Sequence, residues 1–65
     1  MATDADIWRS ANLLIKQHGD RAVIEASMRA DEMLVAGDVE GRAVWLRIVR
    51  AIGELTAEKS AGAVH

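Results

Sequence analysis

The dipeptide Gly-Asp occurs twice, as Gly19-Asp20 and Gly37-Asp38, in a chain that contains no proline. Glycine can adopt the left-handed conformation that ends a helix, and an aspartate directly after it can accept hydrogen bonds from the free amides of the next helix. The two pairs divide the chain into three segments, and the spacing predicts helices at about residues 4–18, 21–36 and 39–57. Links this short make successive helices antiparallel. The expected fold is all-α: a compact antiparallel three-helix bundle over residues 1–57, followed by a frayed or disordered tail over residues 58–65, where Ser60, Ala61, Gly62 and Ala63 lie.

A chain of 65 residues has room for one domain, and at this size only ~60% of the unfolded surface is buried on folding. Twelve of the apolar residues are alanine, so the core they can build is thin. With no Cys there is no disulfide framework and no thiolate metal site. Eight basic against ten acidic residues leave a net charge of −2, with no basic tail to attract nucleic acid or anionic lipid. Asp4 and Asp6 near the start are the opposite of a positive export leader, and a cytoplasmic location is expected. Uninterrupted apolar runs such as Ala43 to Leu46 fall far short of the ~20 residues that cross a bilayer.

Each segment is amphipathic at helical spacing. The first carries Ile7, Trp8, Ala11, Leu14, Ile15 and His18, with Leu13 out of line, and Thr3 stands where it can form a capping box with Asp6. The second carries Val23, Ala26, Ala30, Met33 and Leu34, widened by Ile24, Met28 and Val35. The third carries Trp45, Ile48, Ile52 and Leu55, flanked by Val44, Leu46 and Val49. Levels counted outward from the Gly-Asp pairs set Trp8, Ala30 and Trp45 in one layer, two indoles against a methyl. The same count sets Arg42 about one turn from Asp31, whose direction falls inside the apolar arc of the second helix; an interhelical ion pair is predicted there. Matches between Arg21-Ala22-Val23 and Arg42-Ala43-Val44 have the character of chance in an Ala- and Arg-rich helical composition and carry no functional weight.

No enzymatic constellation is present in the sequence. His18 is the one plausible general base, and an imidazole in the last turn of a helix is explained by the carbonyls and negative dipole end there. Neither Ser10 nor Ser27 sits in a Gly-rich elbow, and Asp4-x-Asp6 lacks the rest of a calcium loop. A non-enzymatic protein without metal or cofactor is therefore expected. The second and third helices with their turn have the outline of a helix-turn-helix, which makes a nucleic-acid-binding regulator the alternative reading. Against it, the positions that would meet DNA are Val39, Glu40, Gly41, Arg42 and Ala43, one cation beside acids.

The runs Asp6-Ile7-Trp8-Arg9-x-Ala11-Asn12-Leu13-Leu14-Ile15-Lys16, Met28-Arg29-Ala30-Asp31-Glu32-Met33-Leu34 and Gly37-Asp38-Val39-Glu40-Gly41-x-Ala43-Val44-Trp45-x-Arg47-Ile48 cover most of residues 6–55. Together they resemble a family of short, functionally uncharacterised bacterial proteins, chiefly from alphaproteobacteria. The resemblance implies a bacterial cytoplasmic single-domain protein and brings no catalytic residue with it.

The remaining feature is a surplus of apolar positions beyond what a three-helix core needs. The expectation is a small protein–protein interaction module, with a homodimer as one form it could take. Its contact residues would be Ile24, Met28, Asp31 and Val35 of the second helix, with Arg42 and Leu46 of the third.

Overall fold

In the computed structural model, which describes the backbone of residues 2–63 and the side chains of residues 2–57, the chain enters its first helix at Thr3. The Thr3 hydroxyl accepts from the Asp6 amide and the Asp6 carboxylate accepts from the Thr3 amide, both at 3.2 Å, completing the capping box. Helix α1 then runs Asp4–His18. The Thr3 amide, then the Thr3 side chain, hold the Asp6 carboxyl below its ordinary pKa, with a smaller contribution from Arg9.

The two Gly-Asp pairs behave differently. Gly37 is left-handed (φ 75°) and closes α2, Ala22–Ala36. The Gly37 amide donates to the Leu34 carbonyl and the Asp38 amide to the Met33 carbonyl, which is the Schellman arrangement. Asp38 then caps α3, its carboxylate accepting from the Gly41 amide at 2.8 Å. Gly19 also takes a positive φ (57°) and ends α1, but the chain then continues through one 3₁₀ turn, Gly19–Arg21, and enters α2 from Arg21 with no side-chain cap. The Gly19 amide bonds to the Ile15 carbonyl and the Ala22 amide to the Gly19 carbonyl, so the backbone satisfies itself and Asp20 is not needed.

Helix α3 runs Val39–Ala63, which corrects the expected helix end at Ala57. Ala57, Glu58, Lys59, Ala61 and Ala63 are favourable helix residues, and neither proline nor a Gly-Asp pair stops the backbone. Residues 64 and 65 of that expected tail lie outside the described residues. The long helix sets the shape: the molecule measures 44 × 21 × 16 Å.

All three helices pack against one another, α2 and α3 most extensively. Three isoleucines and four alanines form one core: Ile7 and Ala11 of α1, Ala22 and Ala26 of α2, and Ile48, Ala51 and Ile52 of α3. Leu14, Ile15, Val44, Trp45, Val49 and Leu55 seal its edges. Ala30 is also buried but lies outside this cluster. Trp8, expected to share its layer, instead shares a groove with Ile7, Arg47, Arg50, Ala51 and Glu54 and is 39% exposed. Asp4 is bonded to Arg47. These contacts place α1 roughly six residues, ~9 Å, further along α3 than even level counting predicts. Its helix therefore covers the end of the α2–α3 hairpin remote from Gly37.

Candidate interaction surface

Helix α2 is apolar on both sides, with the small residues inside. Ala22, Ala26 and Ala30, four residues apart, are buried and let α2 approach its neighbours closely. On the opposite side stand Ile24 (50% exposed), Met28 (51%) and Val35 (89%), with Asp31 between them. Of the expected inner stripe Ala26 and Ala30 are buried and Met33 is partly so, but Val23 and Leu34 at its edge are exposed, and Ala22 takes an inner place instead. A close helix–helix approach leaves no room for larger side chains, so the bulk of α2 turns to solvent.

Met28, Asp31 and Val35 line one shallow groove together with Glu32, and Ile24 continues the same face one turn toward the N-terminus. Arg42 is elsewhere. It lines a separate hollow at the α2–α3 turn with Met33, Leu34, Gly37, Asp38 and Val39. The predicted Asp31–Arg42 ion pair is absent among the described residues, where the ion pairs are Asp6–Arg9, Glu32–Arg29, Asp4–Arg47 and Glu54–Arg50. Asp31 stands on the side of α2 opposite its buried Ala22 and Ala26, exposed and without a cation in ion-pair distance among the described residues. Leu46 is exposed on α3, on the side away from Ile48 and Ile52, and lines neither hollow. Of the six expected contact residues, Ile24, Met28, Asp31 and Val35 share a face of α2, Arg42 lines the separate hollow at the turn, and Leu46 is exposed on α3.

Sequence spacing missed Leu34 and Val39, both largely exposed at the turn. Val39 directly follows the capping Asp38, and a residue at that first helical position projects outward before the amphipathic stripe begins. The first turn of α3 presents Glu40 and Arg42, while the Asp38 carboxylate is engaged with the Gly41 amide. A further groove, around Trp8, is lined by both charges: Arg47 is bonded to Asp4, and Arg50 lies 3.8 Å from Glu54. His18 is exposed at the end of α1. Among the described residues, no three His, Asp or Glu side chains gather where they could hold a metal ion, and no helix is long and apolar enough to cross a membrane.

No protein-family model, curated protein or solved structure matches this chain.

Proposed function

We propose that this chain is a cytoplasmic three-helix bundle of the alphaproteobacterial family it resembles, and that it acts by contact with another protein rather than by catalysis. The observation that carries this reading is the inverted α2: its buried side is alanine, while Ile24, Met28 and Val35 face water. An isolated bundle gains little from holding its larger side chains outside. Burying them against a partner removes apolar surface from water at ~25 cal/mol per Å², which stabilises a domain whose own core is thin. Asp31 within the face supplies a polar anchor that sets orientation, and Met28 supplies adaptable packing.

The test is Met28→Glu, which places a charge at the centre of the face without touching the core. The expected result is loss of partner contact, with the helical circular-dichroism signal unchanged. Capture that survives the substitution refutes the reading, and so does a variant that unfolds, because Met28 would then be core. A shift of random duplex DNA that weakens with salt would favour the nucleic-acid alternative instead.

A further inference from the structure

The outer face of α2 is complementary to itself. Ile24, Met28, Asp31 and Val35 stand at spacings of four, three and four residues, the seam spacing of a two-stranded helical contact, and Arg21 extends the series by one position toward the N-terminus. Arg21, Ile24, Met28, Asp31 and Val35 are all exposed, and neither Arg21 nor Asp31 makes an ion pair among the described residues. We infer that α2 pairs with α2 of a second copy in an antiparallel arrangement, the two-fold axis passing beside Ala26, so that Arg21 of each copy meets Asp31 of the other.

Antiparallel pairing about that point sets Ile24 level with the second copy's Met28, and Met28 level with its Ile24. One more turn outward on either side brings Arg21 level with the second copy's Asp31. Two apolar layers are thus closed at both ends by opposite charges, with Val35 lying beyond the charged end and outside the seam, and the arrangement satisfies the symmetry of a two-fold interface, in which one patch serves both sides. Along the flank, Glu25 of one copy comes within ~3 Å in axial level of Arg29 of the other, taking 1.5 Å per residue. The register that slides one heptad would set Ile24 against Val35, a larger apolar layer, but it puts Asp31 against Met28. That register costs the desolvation of two carboxylates with no cation to meet them. Charge therefore selects the register. A contact between two single helices is smaller than the ~1,200 Å² of a standard stable interface, so the dimer is a weak one, populated at high concentration. The inference rests on the contact reading above and names its partner.

Sedimentation of the full chain between about 10 μM and 1 mM, the range in which weak interfaces associate, tests it. The wild-type chain should pass from monomer to dimer across the series. Arg21→Asp alone and Asp31→Arg alone should each stay monomeric, since each places two like-charge pairs at the ends of the seam. Mixed one to one, these two variants should form a heterodimer, and the double variant should dimerise by itself. Helical circular dichroism of each variant separates lost pairing from lost fold, and because the chain has no cysteine, Ile24→Cys mixed with Met28→Cys gives an independent cross-link across the seam. A wild-type chain monomeric throughout, single variants that dimerise as well as wild type, or a mixture no better than its components overturns the proposal. If the chain is monomeric yet Met28→Glu still abolishes capture of a different protein, self-pairing falls while the contact reading stands. A dimer indifferent to both Met28 and the charge changes refutes the two together.

Discussion

Ile24 and Ala26 stand two residues apart on α2, about 160° apart around the helix, and the larger one is half exposed while the smaller is wholly buried. The arrangement follows from how closely α2 lies against its neighbours. Ala22 and Ala26 offer methyl groups against which Ile7, Ile48 and Ile52 can settle, and the larger side chains of the core come from α1 and α3.

Ala26→Leu should therefore destabilise the protein sharply. The added branch has no void to enter and must push the isoleucines or α2 itself aside, at ~1–3 kcal/mol or more. Ile24→Gln, two residues away, should change monomer stability by less than ~0.5 kcal/mol, as for other surface positions. Urea unfolding at a concentration where the chain is monomeric compares the two. Equal effects would mean that α2 is rotated from the orientation described.

The two Gly-Asp pairs make a second contrast. Asp38 accepts from the Gly41 amide at 2.8 Å, whereas Asp20 sits inside a 3₁₀ turn and caps nothing. Asp38→Ala should cost ~1 kcal/mol, the usual value for a lost N-cap, and Asp20→Ala should be close to silent. Thermal unfolding of both variants decides the matter.

The contrast also marks how far the sequence could be read. The all-helical class, the Thr3–Asp6 box, the Schellman end at Gly37 and the cap at Asp38 follow from local chemistry and were legible. The inner Ala26 and Ala30 and the outer Ile24, Met28 and Val35 were legible too, but the edges of the stripe were not: Val23 and Leu34 are exposed and Ala22 is buried, because periodicity does not separate an alanine track from larger apolar residues beside it. The Asp31–Arg42 pairing failed because Asp31 faces away from the buried alanines of α2 while Arg42 lines the hollow at the turn; the placement of Trp8 beside Ala30 failed because it relied on counting levels from turns assumed to be equivalent. Gly19 closes α1 into a 3₁₀ turn whereas Gly37 leads straight to the capping Asp38, so the two turns are not equivalent. Four of the six candidate contact residues emerge on one face because they share a helix and a spacing.

Acid should weaken the start of α1 specifically. The carboxyl of Asp6 has its folded pKa lowered, chiefly by the Thr3 amide. Its stabilising contribution is thus fully present above the ordinary carboxylate value and is lost as pH falls through the lower, folded value. A carbon-13 titration of the Asp6 carboxyl should give a midpoint below 3.8, and Thr3→Ala should move that midpoint upward by removing the hydroxyl that completes the box. A midpoint at or above the ordinary value would mean that the box does not persist in solution.

Two acid–base pairs test the placement of α1 and of α2 separately. Asp4 bonds Arg47 across α1 and α3, and both side chains are substantially exposed. A double-mutant cycle of Asp4→Ala and Arg47→Ala should give a coupling of ~0.2–1 kcal/mol, the range of surface pairs, and it should shrink at high salt. The cycle of Asp31→Ala with Arg42→Ala, measured in the monomer, should give none, since Arg42 lies in the hollow at the α2–α3 turn and Asp31 lies on the groove with Met28 and Val35. The pair is informative because the two charges were matched by sequence position alone, whereas Asp4 and Arg47, 43 residues apart, were not. Absence of the Asp4–Arg47 coupling would return α1 to the register that even level counting demands, and a measurable Asp31–Arg42 coupling would rotate α2 back toward its large apolar residues.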